Sequence, residues 1–519
     1  MSYTEYDSLL QAFKLHAEYH KNRTLVRYYY HSESSSKPKI KTLTYNQVDK
    51  ITDYVAKEWK KTIPPSSFVP GQQQPQCIVT LIDNSLQSIL AFFTILKLGV
   101  AYLPIRDCYN KELIAHLLEQ SNATYIIASK IYREEAFKAI EILHQVKKSK
   151  EEDQSAIGVK IWDDFDINQL VILTSEPTQQ HQIENMSHHN NSIEYFELSG
   201  GSTGKYPKII RRTAQQFLYS MMETMVSPIQ QQQQESDGEE KRWLKSNDVV
   251  LFTSNINVGS IITKLFACIF AGASIIVFYQ SSLPTVHEII TAAEMCKPSI
   301  MFGPPTVLEK LAIYLLEKEE KGISLDEQLV IDNVFKSIKI CLFAGAPLRL
   351  WVETGGISVY NNLCLNEYKQ KWNSIKFSSA HMNYLLFEPL NNNIDNEFYH
   401  LVIRNTHAGL ASHAANRPNG DMDTKDLFRK DTDESGDYWW THFGRMNDIF
   451  IMKDEYNGTN PILIEYEMYN EPIIEKCILI GKNRRHTAVL VELTNNKTIN
   501  KCSTLEEMVT KGSMSIELI

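Results

Sequence analysis

The sequence predicts an α/β protein. Two wound α/β subdomains and a smaller β-rich subdomain form a large N-terminal part, and a small α+β domain follows. Three observations carry this expectation. A strand–helix–Gly–strand–helix–strand pattern occurs twice, an antiparallel-looking strand opens a third region near residue 395, and a hairpin pattern lies close to the end of the chain.

The first copy of the repeated pattern begins with CIVTLIDN (77–84), passes through an apolar helix to Gly99 and VAYLPI, and continues through a second helix to ATYIIAS (123–129). The second copy runs from DVVLFTSN (248–255) through Gly272 and ASIIVF to PSIMFGPP (298–305). Apolar strands that alternate with helices wind into parallel sheets, and a glycine after each helix supplies a left-handed C-terminal cap at little cost. Wound sheets bind ligands at the carboxyl ends of their strands, which places Asn84, Asn255 and the Gly303-Pro304-Pro305 turn at a candidate edge. EFYHLVIRN (397–405) reads as a strand of mixed character. EKCILIG and RHTAVLVEL, joined by Gly481-Lys482-Asn483-Arg484, read as a hairpin. GQQQPQ (71–76), the Gln run at 230–234 and NNNIDNE (391–397) cannot bury apolar surface and are expected in surface loops.

The segment LSGGSTGKYPKII (198–210) carries the chemistry. Gly200, Gly201 and Gly204 let the backbone turn several N–H groups into one concavity. Ser199, Ser202 and Thr203 add hydroxyl donors, and Lys208 adds a point charge, so the loop suits phosphate. IEYFELS before it and PKIIRRT after it are strand-like, so the loop joins two strands and does not open a helix. The Walker pattern fails, because Ser199 stands where its first Gly belongs and Tyr206 follows Lys205 where Ser or Thr is needed. A hairpin without a ligand is the plain alternative for such a Gly-rich turn.

Composition narrows the function classes. In 519 residues, 43% apolar and 22% charged is globular, and a net charge of −9 without a long basic run disfavours nucleic acid. Eight scattered cysteines without a CxxC pair point to reduced, buried thiols in a cytoplasmic protein. The His residues, including His188-His189, show no metal-ligand spacing. The apolar stretches 88–105 and 261–278 each hold a lysine (Lys97, Lys264) and a splitting glycine, so each reads as a buried helix plus strand and no membrane span is expected.

With the loop, the duplicated unit and the small tail together, residues 40–515 resemble the adenylate-forming superfamily: acyl-CoA synthetases, luciferases and the adenylation domains of nonribosomal peptide synthetases. The loop is most similar to the aryl-acid branch. The later segments look more like fungal peptide-synthetase-like adenylation domains. TLTYNQVDK (42–50) and LKLGVAYLPI (96–105) resemble two structural motifs, and NVGS (257–260) stands at a family His-containing turn near the acyl pocket. AGAPL (344–348) is similar to the adenine turn, so the resemblance places Gly345, Ala346 and Pro347 against adenine. Leu363 to Glu367 match the family's Tyr-Gly-x-Thr-Glu, with Asn366 in the Thr position and Glu367 as the implied magnesium ligand. Asp426 in TKDLF matches the Asp that holds both ribose hydroxyls, although Lys425 replaces the preceding Gly. Arg445 in Gly444-Arg445-Met446-Asn447-Asp448 matches a ribose-contacting hinge arginine.

The resemblance implies ATP-dependent activation of a small carboxylic acid to an acyl-adenylate. ATP and Mg2+ serve as cofactors, and CoA or a carrier's phosphopantetheine is the thiol acceptor. It implies an AMP-binding large domain at 1–446 and a partial mobile domain at 447–519. Lys511 in Thr510-Lys511-Gly512-Ser513 resembles the family's catalytic lysine but comes early: either a deletion precedes it, or the chain is truncated, or the match is chance. Lys208, Glu367 and Lys511 are then the catalytic candidates. Two other readings stay open: an impaired homologue that binds nucleotide or acyl group without turnover, and the front of a longer carrier and reductase enzyme. The acyl substrate and the oligomeric state have no signal in the sequence. No cation is evident near Asn257, Phe302 and Ala344 to meet the far end of an acid.

Overall fold

The computed structural model describes residues 5–32, 35–63, 76–83, 86–106, 109–149, 157–162, 167–173, 193–199, 206–225, 244–257, 259–278, 284–321, 337–343, 374–375, 382–389, 398–432, 438–446, 450–451, 458–459, 461, 464–465, 468, 474–481 and 487–493. The chain divides into two units: residues 1–373 with 405–415, and residues 374–404 with 416–519.

The first unit contains, in chain order, α1 (Leu9–Tyr19), β1 (Thr24–Ser32), β2 (Ser35–Thr44), α2 (Tyr45–Lys60), β3 (Cys77–Leu81), α3 (Leu86–Leu98), β4 (Ala101–Pro104), α4 (Lys111–Gln120), β5 (Ala123–Ala128), α5 (Arg133–Ser149), β6 (Gly158–Ile161), α6 (Ile167–Leu173), β7 (Ile193–Ser199), β8 (Lys208–Thr213), α7 (Ala214–Met225), β9 (Val249–Phe252), α8 (Gly259–Ala271), β10 (Ser274–Phe278), α9 (Val286–Cys296), β11 (Ile300–Gly303), α10 (Pro305–Lys321) and β12 (Ile340–Phe343). These strands build two six-stranded sheets, ordered β6-β5-β3-β4-β7-β8 and β12-β11-β9-β10-β1-β2.

The duplication expected from sequence is present, and it extends further than the pattern alone shows. Position by position the two orders correspond. Four parallel strands continue into an antiparallel hairpin, β7–β8 in one sheet and β1–β2 in the other. Each hairpin leads into a helix opened by the same device. Thr44 and Gln47 exchange side-chain and backbone hydrogen bonds at the start of α2, and Thr213 and Gln216 do so at α7. Such a box satisfies two N–H groups that the first helical turn leaves unpaired. Gly99 and Gly272, which follow α3 and α8, both take φ of 72°.

The sheets share a core through the helices between them. Phe92 and Phe93 of α3, Tyr45 and Trp59 of α2, Phe217 of α7 and Phe266 of α8 pack in one cluster with Ile78 and Tyr102 of one sheet and Val250 and Ile275 of the other. Tyr45 donates its hydroxyl to the carbonyls of Cys268 (3.1 Å) and Ala273 (2.7 Å), locking α2 to the end of α8. The outer faces are covered by α9 with α10 on one sheet and α4 with α5 on the other.

The helices α3 and α8 span 13 residues each, and among the described residues no helix is long and apolar enough to cross a membrane. Lys97 shows why a lysine is tolerated inside α3: its ammonium lies 2.6 Å from Asp49 and 2.9 Å from Asp53 of α2. Among the described cysteines, Cys77, Cys268, Cys296, Cys341 and Cys477 are buried free thiols.

The second unit is β-rich. Strands β13 (Ser374–Ile375), β14 (Leu385–Pro389), β15 (Phe398–Ile403), β16 (Met422–Thr432) and β17 (Tyr438–Arg445) form an antiparallel sheet ordered β13-β17-β16-β15-β14. Phe387 stacks on Trp440 at 3.6 Å over its small core with Leu401 and Phe428. Two short pairs follow, β18 (Phe450–Ile451) with β19 (Gly458–Thr459), and β20 (Ile474–Ile480) with β21 (Ala488–Leu493). The last pair is the hairpin read from the sequence.

Candidate active site

The Gly-rich loop sits on the β7–β8 hairpin. Ser199 and Lys208 are direct antiparallel partners, so the strands that flank the loop begin and end face to face, and Lys208 is exposed at that mouth. This agrees with the strand–loop–strand reading and with the failure of the Walker pattern. Gly200, Gly201, Ser202, Thr203 and Gly204 lie outside the described residues.

The hairpin is braced on both sides. Arg212 pairs with Glu197 across it (2.8 Å) and reaches Ser220 and the Gly409 carbonyl. The Arg211 N–H donates to His413 (2.9 Å), and Gln216 donates to the Leu410 carbonyl (3.0 Å). Tyr206, which follows the loop, stacks on His116 of α4 at 4.3 Å. Beneath it Tyr195 meets Tyr102 and Phe217 ring to ring.

The carboxyl ends of the parallel strands form a second feature. Asn255 and Asn257 follow β9, and both are buried. Asn255 accepts the Asn257 N–H (2.8 Å), and Asn257 donates its amide to the Ile82 carbonyl just past β3 (2.8 Å), so this turn joins the edges of the two sheets. Its Oδ1 is buried without a partner among the described residues. Gly303 at the end of β11 has no room for a side chain, since a Cβ there would lie 1.9 Å from Thr253 Oγ1. Asn84 and Ala344 lie outside the described residues.

Near this edge Lys264 of α8 holds its ammonium 5.9 Å from the Phe302 ring centroid. Burial lowers this amine to about 8, with only the Cys268 thiol acting against that shift. The signal was present as a lone lysine in an apolar helix, but only the helix phase shows which strand it meets.

In the second unit Asp426 and Arg445 are register partners on β16 and β17. The two residues assigned to ribose from resemblance therefore sit side by side, 19 positions apart in sequence. The Asp426 carboxylate lies 3.8 Å from His442 Nε2, and its N–H donates to Thr424 Oγ1 (3.1 Å). Lys425, where the resemblance expects a glycine, takes φ of 64°. That left-handed conformation explains a glycine at this position, because a Cβ makes it costly.

Gly345, Ala346, Pro347, Asn366, Glu367 and Lys511 lie outside the described residues. So do 447–449, across which the expected domain boundary falls.

Residues 13–354, well over half of the chain, match the AMP-binding enzyme family. The chain belongs to that family. The matched span of this AMP-binding chain contains the hairpin loop and residues 344–348, read above as similar to an adenine turn, and it ends before Glu367, Asp426, Arg445 and Lys511. Gramicidin S synthase 2 of Brevibacillus brevis is 35% identical over 86 residues, which is 16% of this chain and 2% of that protein. The match thus spans a small fraction of that relative's length.

Solved structures share the fold. An anthranilate CoA ligase in complex with anthranoyl-AMP is 15% identical with a TM-score of 0.64, covering 99% of this chain and 93% of that one. The O-succinylbenzoate CoA synthetase of Bacillus subtilis in complex with AMP gives 14% and 0.64, covering 98% and 92%. The A-PCP didomain of a carboxylic acid reductase from Segniliparus rugosus, also with AMP, gives 10% and 0.65, covering 99% and 76%.

Proposed function

We propose that this AMP-binding chain activates a small carboxylic acid as its acyl-adenylate and passes the acyl group to a thiol. The single observation that carries the reading is the braced hairpin whose Gly-, Ser- and Thr-rich loop opens between Ser199 and Lys208 in a family member. A carboxylate oxygen attacks the α-phosphorus of ATP, the bond to the pyrophosphate oxygen breaks, and pyrophosphate leaves. The acceptor thiolate then attacks the acyl carbon and AMP departs. Little covalent chemistry falls to the protein in such a transfer, so positioning and charge neutralisation dominate.

In this reading the 199–204 loop and Lys208 cradle the β- and γ-phosphates through main-chain N–H groups and one ammonium. Asp426 accepts from the two ribose hydroxyls with Arg445 beside it, and Gly345, Ala346 and Pro347 line the adenine. Glu367 would hold magnesium, and Asn366 donates to a phosphate. A carboxylate suits a hard cation, which neutralises phosphate charge when bound. Lys511 is the donor to the departing charge. A large domain over 1–446 and a mobile one from 447 turn about the Arg445 hinge to admit CoA or a carrier's phosphopantetheine. Within the superfamily we group the chain with fungal peptide-synthetase-like adenylation domains, on its segments at 424–465. Buried free thiols suit a reducing, cytoplasmic setting.

The test is pyrophosphate release over a panel of aryl, amino and fatty acids, together with heat protection by a non-hydrolysable ATP analogue. Acid-dependent release is expected, along with protection that Lys208→Ala removes. Silence across the panel combined with protection unaffected by Lys208→Ala overturns the assignment.

A further inference from the structure

We propose that Asp423 is a positioning residue for nucleotide binding: it holds Lys425 in a left-handed turn and thereby fixes where Asp426 presents its carboxylate. The proposal rests on the ribose role of Asp426 proposed above, and it assigns a function to residues outside that role.

The geometry starts with Lys425. A residue with a side chain at φ of 64° persists only where its surroundings hold it there. One carboxylate does so twice. Asp423 Oδ1 accepts the Lys425 N–H (3.0 Å), and Asp423 Oδ2 accepts from the Lys425 ammonium (2.7 Å). The backbone and the tip of the same residue are thus fixed by one group. Lys425 then passes its position on, since its carbonyl accepts the Met446 N–H (2.7 Å) just beyond Arg445. Thr424 holds the other side, donating to the Leu401 carbonyl (2.8 Å) and accepting the Asp426 N–H (3.1 Å). Asp426 therefore has its N–H held by Thr424, two residues before it, and the peptide that precedes it fixed through the Lys425 carbonyl.

Asp423 is itself clamped. Its N–H donates to Asn416 Oδ1 and its carbonyl accepts from Asn416 Nδ2, both at 2.8 Å, so one amide side chain spans its backbone. It is buried, and three cations or potential cations surround it: Lys425, Arg417 (3.6 Å) and His400 (3.5 Å). Glu388 fixes two of them, accepting both terminal nitrogens of Arg417 (2.7 and 2.8 Å) and lying 3.0 Å from His400 Nε2. Burial alone would raise the Asp423 carboxyl, but Lys425 and His400 hold it below the ordinary range, so it stays ionised as the clamp requires. A glycine at 425 would adopt the turn unaided. Lysine needs Asp423, and this dependence makes the two positions coupled.

The experiment compares the affinity of the full chain for ATP and for 2′,3′-dideoxy-ATP by calorimetry. Wild type is expected to prefer ATP by about tenfold or more, the worth of hydrogen bonds from ribose to a charged carboxylate. Asp423→Asn is expected to reduce the preference to about threefold or less, and the double variant Asp423→Asn/Lys425→Gly to restore it, because glycine takes the turn without a clamp. Should Asp423→Asn fail to fold, Asn416→Ala, which frees the Asp423 backbone, carries the same expectation with the same rescue. A preference that survives Asp423→Asn overturns the positioning role, and loss without rescue by Lys425→Gly overturns the route through the turn. Failure of the underlying reading looks different: wild type would show no preference, or Asp426→Asn would retain it.

Discussion

Glu194 offers the sharpest test of how the hairpin is built into the fold. It lies at the start of β7 and is buried, with Oε2 accepting the N–H of Leu9, the first residue of α1, at 2.8 Å. Its Oε1 is buried without a partner among the described residues. Burial pushes this carboxyl from 4.5 up to about 7, with the Leu9 bond offsetting only part of the effect. The native state therefore holds one more proton than the unfolded chain between these two values. The contribution of Glu194 to stability is fully present below the unfolded value and is lost as pH rises through about 7.

A displacement of roughly 2.5 units corresponds to on the order of 3 kcal/mol between the two limits. Glu194→Gln keeps an acceptor for Leu9 and cannot ionise. Any fixed cost of seating the amide appears equally at every pH, so the comparison across pH isolates the titration. Urea unfolding followed by near-UV circular dichroism from pH 4.5 to pH 8 would measure it. The variant is expected to gain on wild type by roughly 2–3 kcal/mol across that interval, mostly between pH 4.5 and 7 and with little further change above. Parallel profiles would refute the reasoning and mean that Glu194 is solvated in the native state.

Lys264→Met is expected to stabilise the protein by about 1–3 kcal/mol at pH 7, because the native amine is depressed to about 8 without a carboxylate partner among the described residues. The native state sheds that proton first, so the penalty shrinks as pH rises toward 10.5, and thermal melting at pH 7 and pH 10 should show the advantage fade. Gly272→Ala must adopt φ of 72° and bring its Cβ within 2.4 Å of His20 Cε1, so a loss of about 2 kcal/mol or more is expected. An unchanged melting temperature would count against that packing. Lys97→Met removes one counter-ion from Asp49 and Asp53, but Lys14 stays 3.6 and 3.0 Å from them and both carboxylates are partly exposed, so the expected cost is about 1 kcal/mol, with partial recovery in Lys97→Met/Asp53→Asn measured by urea midpoint.

Much of the architecture was legible because its signals are local. The Gly after α3 and the Gly after α8 mark helix ends wherever they occur, and the runs CIVTLI and SIIVF can only be strands covered on both faces. The loop's flanks alternate, so its hairpin could be read without knowing the partner sheet. The candidate site residues Ser199, Lys208, Asp426 and Arg445 were likewise named from short strings. Their relation was not. Asp426 and Arg445 meet only through the register of β16 and β17, and the Asp423 clamp draws on His400, Glu388 and Arg417, which no spacing rule links to it.

The sequence by itself determined which segments are strands, which are helices and where the backbone needs glycine, since propensity, periodicity and capping act within a few residues. Tertiary structure decided the rest. It showed the two sheets to be strand-for-strand counterparts, gave Lys97 two carboxylates while Lys264 received an aromatic ring, and let a lysine occupy a left-handed turn by supplying a carboxylate to hold it. The reason is physical: burial and pairing energies depend on groups brought together from distant positions, and short sequence strings do not encode that proximity.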